Sequence, residues 1–328
     1  MDAMVVQTPG SPRELRLREV PDPVPGPGEI LVEVAYAGVG FVDTLFRAGA
    51  FALPLPLIPG IEVAGRVRAV GPGAERFAPG DRVGALLNDF GRGPRAGGYA
   101  QLAVAHATMA ARVPDGLDLA LVAAAAVNGT TAWLALHDLA RLAPHDRVAV
   151  LGASGGLGGT ACRIAAASPA RQVIGVAGSD QSRPMMPAEC TDIVLAEEFA
   201  ARVTELAGGQ GLDVIVDPVG GHLRELAVGH LAPFGRLLVM GDASGDDRRL
   251  SADAIWLGSQ QVIGLSLGGV AHLIPDRVSA ALEAVLQLLA RGILPEPEPA
   301  IRPLHQAPAV HQELEQRTAP PKTVLSAG

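Results

Sequence analysis

The chain has 328 residues, a net charge of −8, 48% hydrophobic and only 3% aromatic side chains, 40 Gly and 27 Pro, a composition that reads as a soluble, loop-punctuated protein of two domains at roughly 100 to 200 residues each. The acidic balance excludes the basic face a nucleic-acid binder needs, and two cysteines, Cys162 and Cys190, are too few for a disulfide scaffold or a four-cysteine zinc site. Apolar runs such as Leu119 to Val127 fall short of the roughly 20 residues that span a bilayer, and the first residues show no signal-peptide pattern, so the expectation is a cytoplasmic protein with no membrane partner.

Up to about residue 115, short β-type runs alternate with Pro and Gly: Glu29 to Ala35, Val63 to Val70, Arg82 to Leu86 and Tyr99 to Val104. They predict a small, mostly antiparallel β domain. From Leu117 the chain turns to an Ala-rich helix, then alternates apolar strands with helices. The strands are Arg147 to Leu151, Val173 to Ala177, Ile193 to Leu195, Leu212 to Val216 and Arg236 to Met240. That alternation predicts a parallel, doubly wound sheet and an α/β fold. Val278 to Ala290 has helical spacing; a Pro-rich stretch, a short helix and a last strand, Thr323 to Leu325, follow and can return to the first domain.

The strand Arg147 to Leu151 runs into Gly152-Ala153-Ser154-Gly155-Gly156-Leu157-Gly158 and a helix to Ala167. Glycines at this spacing permit a tight turn, the approach of a pyrophosphate and close helix packing, while the helix N-terminus meets the anion. Ser154, Gly155, Gly156 and Leu157 are the candidate pyrophosphate residues. At the end of the next strand, where NAD-binding proteins carry a ribose-binding acid, stand Gly178 and Ser179, followed by Ser182 and Arg183. Small polar groups and a cation point to the 2′-phosphate of NADPH. Asp180 argues the other way, and the alternative for Arg183 is a solvated loop charge. Met240 and Gly241 end a parallel strand on the carboxyl edge, where ligands of open α/β sheets bind.

Rare residues remove other chemistries. Neither tyrosine, Tyr36 or Tyr99, is followed four residues on by Lys, Ser251 has no G-x-S-x-G elbow around it, and Lys322 is the single lysine. The eight histidines show no ligand spacing and are expected mostly on polar helices or loops.

Gly60-Ile61-Glu62-Val63-Ala64-Gly65-Arg66-Val67, Phe77-Ala78-Pro79-Gly80-Asp81-Arg82-Val83, Asn128-Gly129-Thr130-Thr131-Ala132-Trp133, Asp217-Pro218-Val219-Gly220-Gly221 and Leu231-Ala232-Pro233-Phe234-Gly235-Arg236 stand in order along the chain. With them the sequence resembles the medium-chain dehydrogenase/reductase superfamily, in its zinc-free quinone oxidoreductase and enoyl reductase branch. The resemblance implies a GroES-like domain over 1–120 and 266–328, a Rossmann domain over 121–265, NADPH as cofactor and a homodimer. It also implies a cofactor site that includes Phe41, Thr131, Leu265, Leu267 and Lys322, although a surface cation is the simpler reading of Lys322. Ile61 and Val42 stand near the positions where zinc-dependent relatives carry ligands, so no metal is expected.

Hydride transfer to a quinone or an α,β-unsaturated carbonyl is the implied reaction. The family's polar Asn and Tyr are replaced here by Gly40 and Phe51, leaving Asp43 and Asn128 as candidate catalytic groups. The same replacements admit a second reading, a relative with lost or redirected reductase chemistry: a cyclase, an isomerase or a binding protein.

Overall fold

The computed structural model describes residues 1–87, 97–320 and 322–328. In chain order the first elements are β1 (Asp2–Val6), β2 (Leu15–Glu19), β3 (Glu29–Val39), α1 (Phe41–Ala48), β4 (Glu62–Val70), β5 (Arg82–Leu86), β6 (Leu102–His106), β7 (Ala110–Arg112) and α2 (Leu119–Trp133). There follow β8 (Arg147–Leu151), α3 (Gly156–Ala167), β9 (Gln172–Ala177), β10 (Asp192–Leu195), α4 (Phe199–Leu206), β11 (Leu212–Asp217), α5 (Gly221–Val228), β12 (Leu231–Val239), α6 (Ala252–Leu257) and β13 (Gln261–Gly264). The chain closes with α7 (Leu267–Val270), α8 (Pro275–Ala290), β14 (Ala300–Pro303), α9 (Ala307–Glu315) and β15 (Thr323–Ser326). Two compact units result, one of residues 1–130 with 268–328 and one of residues 131–267.

The first unit is built on a mixed sheet of order β14-β15-β3-β4-β5-β7, with β6 also paired to β3, and β1 and β2 form a separate antiparallel ribbon. The long β3 lies between β4 and β15, both antiparallel to it. Its Ile30, Val32 and Val34 are buried on one face, while on the other Leu31 packs with Leu102 and Val104 and Glu33 is exposed. Helix α1 stops at Gly49, whose φ of 83° provides the left-handed exit that a side chain would disfavour. Helix α8 starts at Pro275 and buries Val278, Ala281, Leu282, Val285, Leu286 and Leu289, one stripe at helical spacing.

The second unit is a six-stranded sheet of order β10-β9-β8-β11-β12-β13, all parallel. Ala149, Leu151, Ile174, Val176, Ile215 and Leu237 form its centre, with Phe199 and Val203 of α4 packed in. Strands buried on both faces lose the apolar alternation, which is why they read as short continuous apolar runs. The strand expected at Arg236 to Met240 starts earlier, at Leu231, with a register shift against β11 between Leu212 and Val214.

Three expectations need correction. Residues Tyr99 to Gln101 precede β6, whose strand begins at Leu102. The ribbon β1–β2 was not expected, because five-residue strands with exposed Arg16 and Arg18 carry little apolar signal. The apolar run at Leu119 also continues: α2 passes into a π-helical turn at Leu134–Leu139, giving 21 residues long and apolar enough to cross a bilayer. Burial of 72% of its most apolar 18-residue stretch inside the protein makes it a core helix.

Asp217, fully buried at the end of β11, accepts hydrogen bonds from Val219 N and Gly220 N at 2.8 Å each and pairs with the buried Arg224 of α5. Arg224 in turn donates to the Gly241 carbonyl at 2.5 Å. Removing one member of a buried pair strands the other charge in low dielectric. Asp217→Ala should therefore lower unfolding stability by about 3 kcal/mol or more, read as a fall in the urea midpoint of this unit.

Candidate functional site

In a parallel sheet every strand ends on the same edge, and β9 and β11 flank β8 on opposite sides, so the strand order reverses beside β8. The glycine turn leaves β8 at that point. Gly152 has φ 63°, and a Cβ on Gly158 would stand on the Gly152 carbonyl oxygen, so only glycine lets α3 start this close to the strand. The N-cap Gly155 offers no side-chain oxygen to the first helical amides. Those amides and the positive helix end remain suited to an anion. Ser154 to Leu157 are at least partly exposed. The cradle fits a pyrophosphate.

Along the same edge stand the other residues expected in this unit. Gly178 and Ser179 follow β9 and are exposed. Ser182 Oγ donates to the Ser179 carbonyl at 2.7 Å and accepts from Ser179 N at 3.2 Å, which fixes the turn. Arg183 and Asp180, expected to act in opposition, form an exposed ion pair at 2.7 Å. Such an exposed pair contributes little, so separating the two charges costs little. Met240 N donates to Asp217 O, Ala243 N to Pro218 O and Ser244 N to Val219 O. Leu265 N donates to Val239 O at 2.9 Å. These bonds stitch the ends of β11, β12 and β13 into one rim, with Leu267 buried at its far end. Thr131, at the start of this unit on α2, is 6% exposed.

Phe41, Asp43, Asn128 and Lys322 belong to the first unit. Phe41 is exposed at the start of α1 and Asn128 is half-buried on α2. Lys322 is no surface cation: its side chain is 10% exposed and its Nζ lies 2.5 Å from Glu62 Oε1, while Glu62 Oε2 accepts from Val127 N at 2.6 Å. Asp43 is fully buried. Its Oδ2 accepts from Gly40 N at 2.8 Å and Tyr99 Oη at 3.3 Å, and its Oδ1 from Gly60 N at 3.1 Å.

A group that sequence reasoning missed completes this network. His311, expected on a polar helix or loop, is fully buried, with Nε2 3.2 Å from Tyr99 Oη. One turn along α1 from Asp43, buried Arg47 donates to Gly10 O at 2.7 Å and pairs with Glu315 of α9. No zinc-type spacing marks these residues, since Tyr99 and His311 lie 212 positions apart; the one local signal is Asp43 and Arg47 at helical i, i+4 spacing. Among the described residues no cluster of three or more His, Cys, Asp or Glu is arranged to hold a metal ion.

Burial pushes the Asp43 carboxyl from 3.8 up to about 6; the Gly40 and Gly60 amides and Lys322 oppose the rise and the charge of Glu62 adds to it. Burial, with the Arg47 charge, holds His311 down from 6.5 to about 3. Between roughly pH 4 and 6, native Asp43 keeps a proton that the unfolded chain has released, so its contribution to stability falls as pH rises. Native His311 lacks a proton that the unfolded chain takes up below about pH 6.5, so its contribution falls as pH falls. The two slopes offset each other across that window. In Asp43→Asn only the His311 slope remains, and the variant should lose stability relative to the native protein on acidification from about pH 6 to 4. Urea unfolding at a series of pH values checks this; parallel profiles for the two proteins would refute it.

Residues 26–115 match the alcohol dehydrogenase GroES-like domain family and residues 156–290 the zinc-binding dehydrogenase family. The chain is 31% identical over 320 residues to a quinone oxidoreductase of Pseudomonas aeruginosa, covering 96% of each protein. It is 32% identical over 307 residues to a mycocerosic acid synthase-like polyketide synthase of Mycobacterium tuberculosis, covering 92% of this chain and 14% of that much longer one. The crystal structure of Escherichia coli quinone oxidoreductase complexed with NADPH superposes with a TM-score of 0.89 at 27% identity, over 99% of this chain and all of that one. A mixed-sheet GroES-like unit, a parallel-sheet Rossmann unit and full-length identity to a single-enzyme relative converge: the chain belongs to the quinone oxidoreductase branch of the medium-chain dehydrogenase/reductase family.

Proposed function

We propose that the protein is an NADPH-dependent, zinc-independent oxidoreductase that delivers hydride to a quinone or to the polarised C=C of an α,β-unsaturated carbonyl. The observation that carries this reading is the glycine turn at the strand-order reversal, with Ser179, Ser182 and Arg183 on the neighbouring strand end. The NADPH complex of the Escherichia coli relative supports the cofactor, the Pseudomonas aeruginosa quinone oxidoreductase supports a quinone as acceptor, and the α,β-unsaturated carbonyl rests on the resemblance in sequence. Residues 154–157 bind the pyrophosphate on backbone amides, Arg183 and Ser179 take the 2′-phosphate, and Thr131, Met240, Gly241, Leu265 and Leu267 orient the nicotinamide. Bound NADPH supplies the hydride. Ile61 and Val42 carry no donor atom for zinc, and conjugated acceptors need less polarisation than a simple carbonyl. Asn128 is the polar side chain left to hold the acceptor oxygen, whereas Asp43 and Lys322 act as positioning residues through Gly60 and Glu62.

Fluorescence titration should show NADPH bound more tightly than NADH, with Arg183→Ala weakening NADPH about tenfold, or about 1.4 kcal/mol, and leaving NADH unchanged. NADPH consumption should appear with quinones or enones and fall in Asn128→Ala without a change in NADPH affinity. Cofactor binding with no turnover across both acceptor classes would instead favour redirected chemistry, the reading that Gly40 and Phe51 motivate. Gly40 has room for a side chain, since a Cβ there meets nothing closer than Asp43 Oδ2 at 3.5 Å. Gly40→Asn with Phe51→Tyr then tests whether quinone reduction is gained.

We also propose a homodimer formed through the edge strand β13. The strand is largely exposed, and Phe234, Trp256 and Leu257 beside it are each 74% exposed. Such an apolar edge is a liability unless it is paired. Trp256→Glu with Leu257→Glu should shift the sedimentation coefficient from dimer to monomer. A monomeric native protein would end this proposal.

A further inference from the structure

The second unit holds both cysteines of the chain, and the fold brings them together. Cys162 is fully buried on α3, the helix that follows the glycine turn, and Cys190 is half-buried on the segment between β9 and β10. The residues beside them also meet: Arg163 Nε lies 3.6 Å from Glu189 Oε2. Gly175 on β9 leaves the space this segment needs, because a Cβ there would come within 2.7 Å of Cys190 Sγ and 2.6 Å of Met186 Cε. Pro187 lies beside Gly159 on the same face of α3. The segment is thus clamped to the helix by an ion pair, a proline and two sulfurs.

We propose that Cys162 and Cys190 form a peroxide-oxidisable dithiol whose disulfide fastens the residue 178–190 segment to α3. In the reduced protein the Cys162 thiol donates a hydrogen bond to the Cys190 sulfur, which lowers the Cys190 thiol and raises that of Cys162. Cys190, partly exposed, is the nucleophile; Cys162 resolves. The Cys190 thiolate attacks one peroxide oxygen, the O–O bond breaks, and hydroxide leaves behind a sulfenic acid. Cys162 Sγ then attacks Cys190 Sγ, and the sulfenic hydroxyl departs with the Cys162 proton as water. Two thiols are oxidised to one disulfide, and one hydrogen peroxide is reduced to two waters. Covalent bonding draws the sulfurs closer than thiol hydrogen bonding allows. It therefore shifts the segment that carries Ser182 and Arg183.

This coupling rests on the NADPH reading above, and the experiment separates the two. Purified protein is treated with hydrogen peroxide, then followed by thiol titration, intact mass and NADPH titration, alongside Cys162→Ala and Cys190→Ser. Oxidised native protein should lose both titratable thiols and two hydrogens of mass. Cys162→Ala should instead gain oxygen at Cys190, and Cys190→Ser should keep its thiol. NADPH affinity should fall several-fold on oxidation and return with dithiothreitol in the native protein alone. Oxygen addition at Cys190 without loss of the Cys162 thiol would overturn the dithiol, and equal affinity of the two forms would overturn the coupling. A disulfide in a protein that binds NADPH in neither state would confirm the dithiol and overturn the cofactor reading.

Discussion

The β8–α3 turn closes only because Gly158 has no side chain to keep it from the Gly152 carbonyl. Everything on the carboxyl edge of the parallel sheet inherits its position from that contact. The helix start is brought against the end of β8, its amides face the edge, and the neighbouring strand ends arrange themselves around it. The rim is then held by polar groups deeper in the sheet. Asp217 and Arg224 use a buried charge pair to tie the end of β11 to Gly241 after β12. A loop that must meet a ligand cannot be held by apolar packing alone, and backbone amides fixed by a carboxylate supply the rigidity instead.

The first unit solves a related problem with a different network. Asp43 joins the start of α1 to Gly60, and Tyr99 joins Asp43 to His311 of α9. Arg47 adds the pairing with Glu315. The burial that raises Asp43 lowers His311, so one residue keeps a proton and the other refuses one in the same environment. Between roughly pH 4 and 6 the Asp43–Tyr99–His311 network is uncharged, where an isolated buried charge would be costly. Its cost is therefore spread over two groups whose proton linkages cancel.

Much of this was legible in the sequence, and the failures have physical causes. Arg82–Leu86 and Arg147–Leu151 match the expected strands residue for residue, because Pro or Gly punctuation frames a short apolar run. The glycine turn was legible because its spacing is a local steric requirement. The simpler reading of Lys322 as a surface cation failed because burial is decided by the sheet, where β15 lies beside β3. His311 and Tyr99 were missed because a hydrogen bond across 212 positions leaves no periodic trace. Asp180 and Arg183 were seen correctly as charges, yet a one-dimensional reading sets them against each other while the 3₁₀ turn at Asp180–Met185 pairs them.

The position of β15 in the first sheet also constrains how the molecule is made. Strand β15 lies between β14 and β3, with Thr323 opposite Val39 and Ser326 opposite Tyr36. The entire parallel-sheet unit is therefore synthesised between two strands that must pair. A ribosome-bound chain completes residues 131–267 while β3, already able to pair with β4 and β6, still lacks the partner of Tyr36–Val39. Loop closure across so many residues is slow, so Tyr36–Val39 of β3 lack their antiparallel partner until β15 has been made.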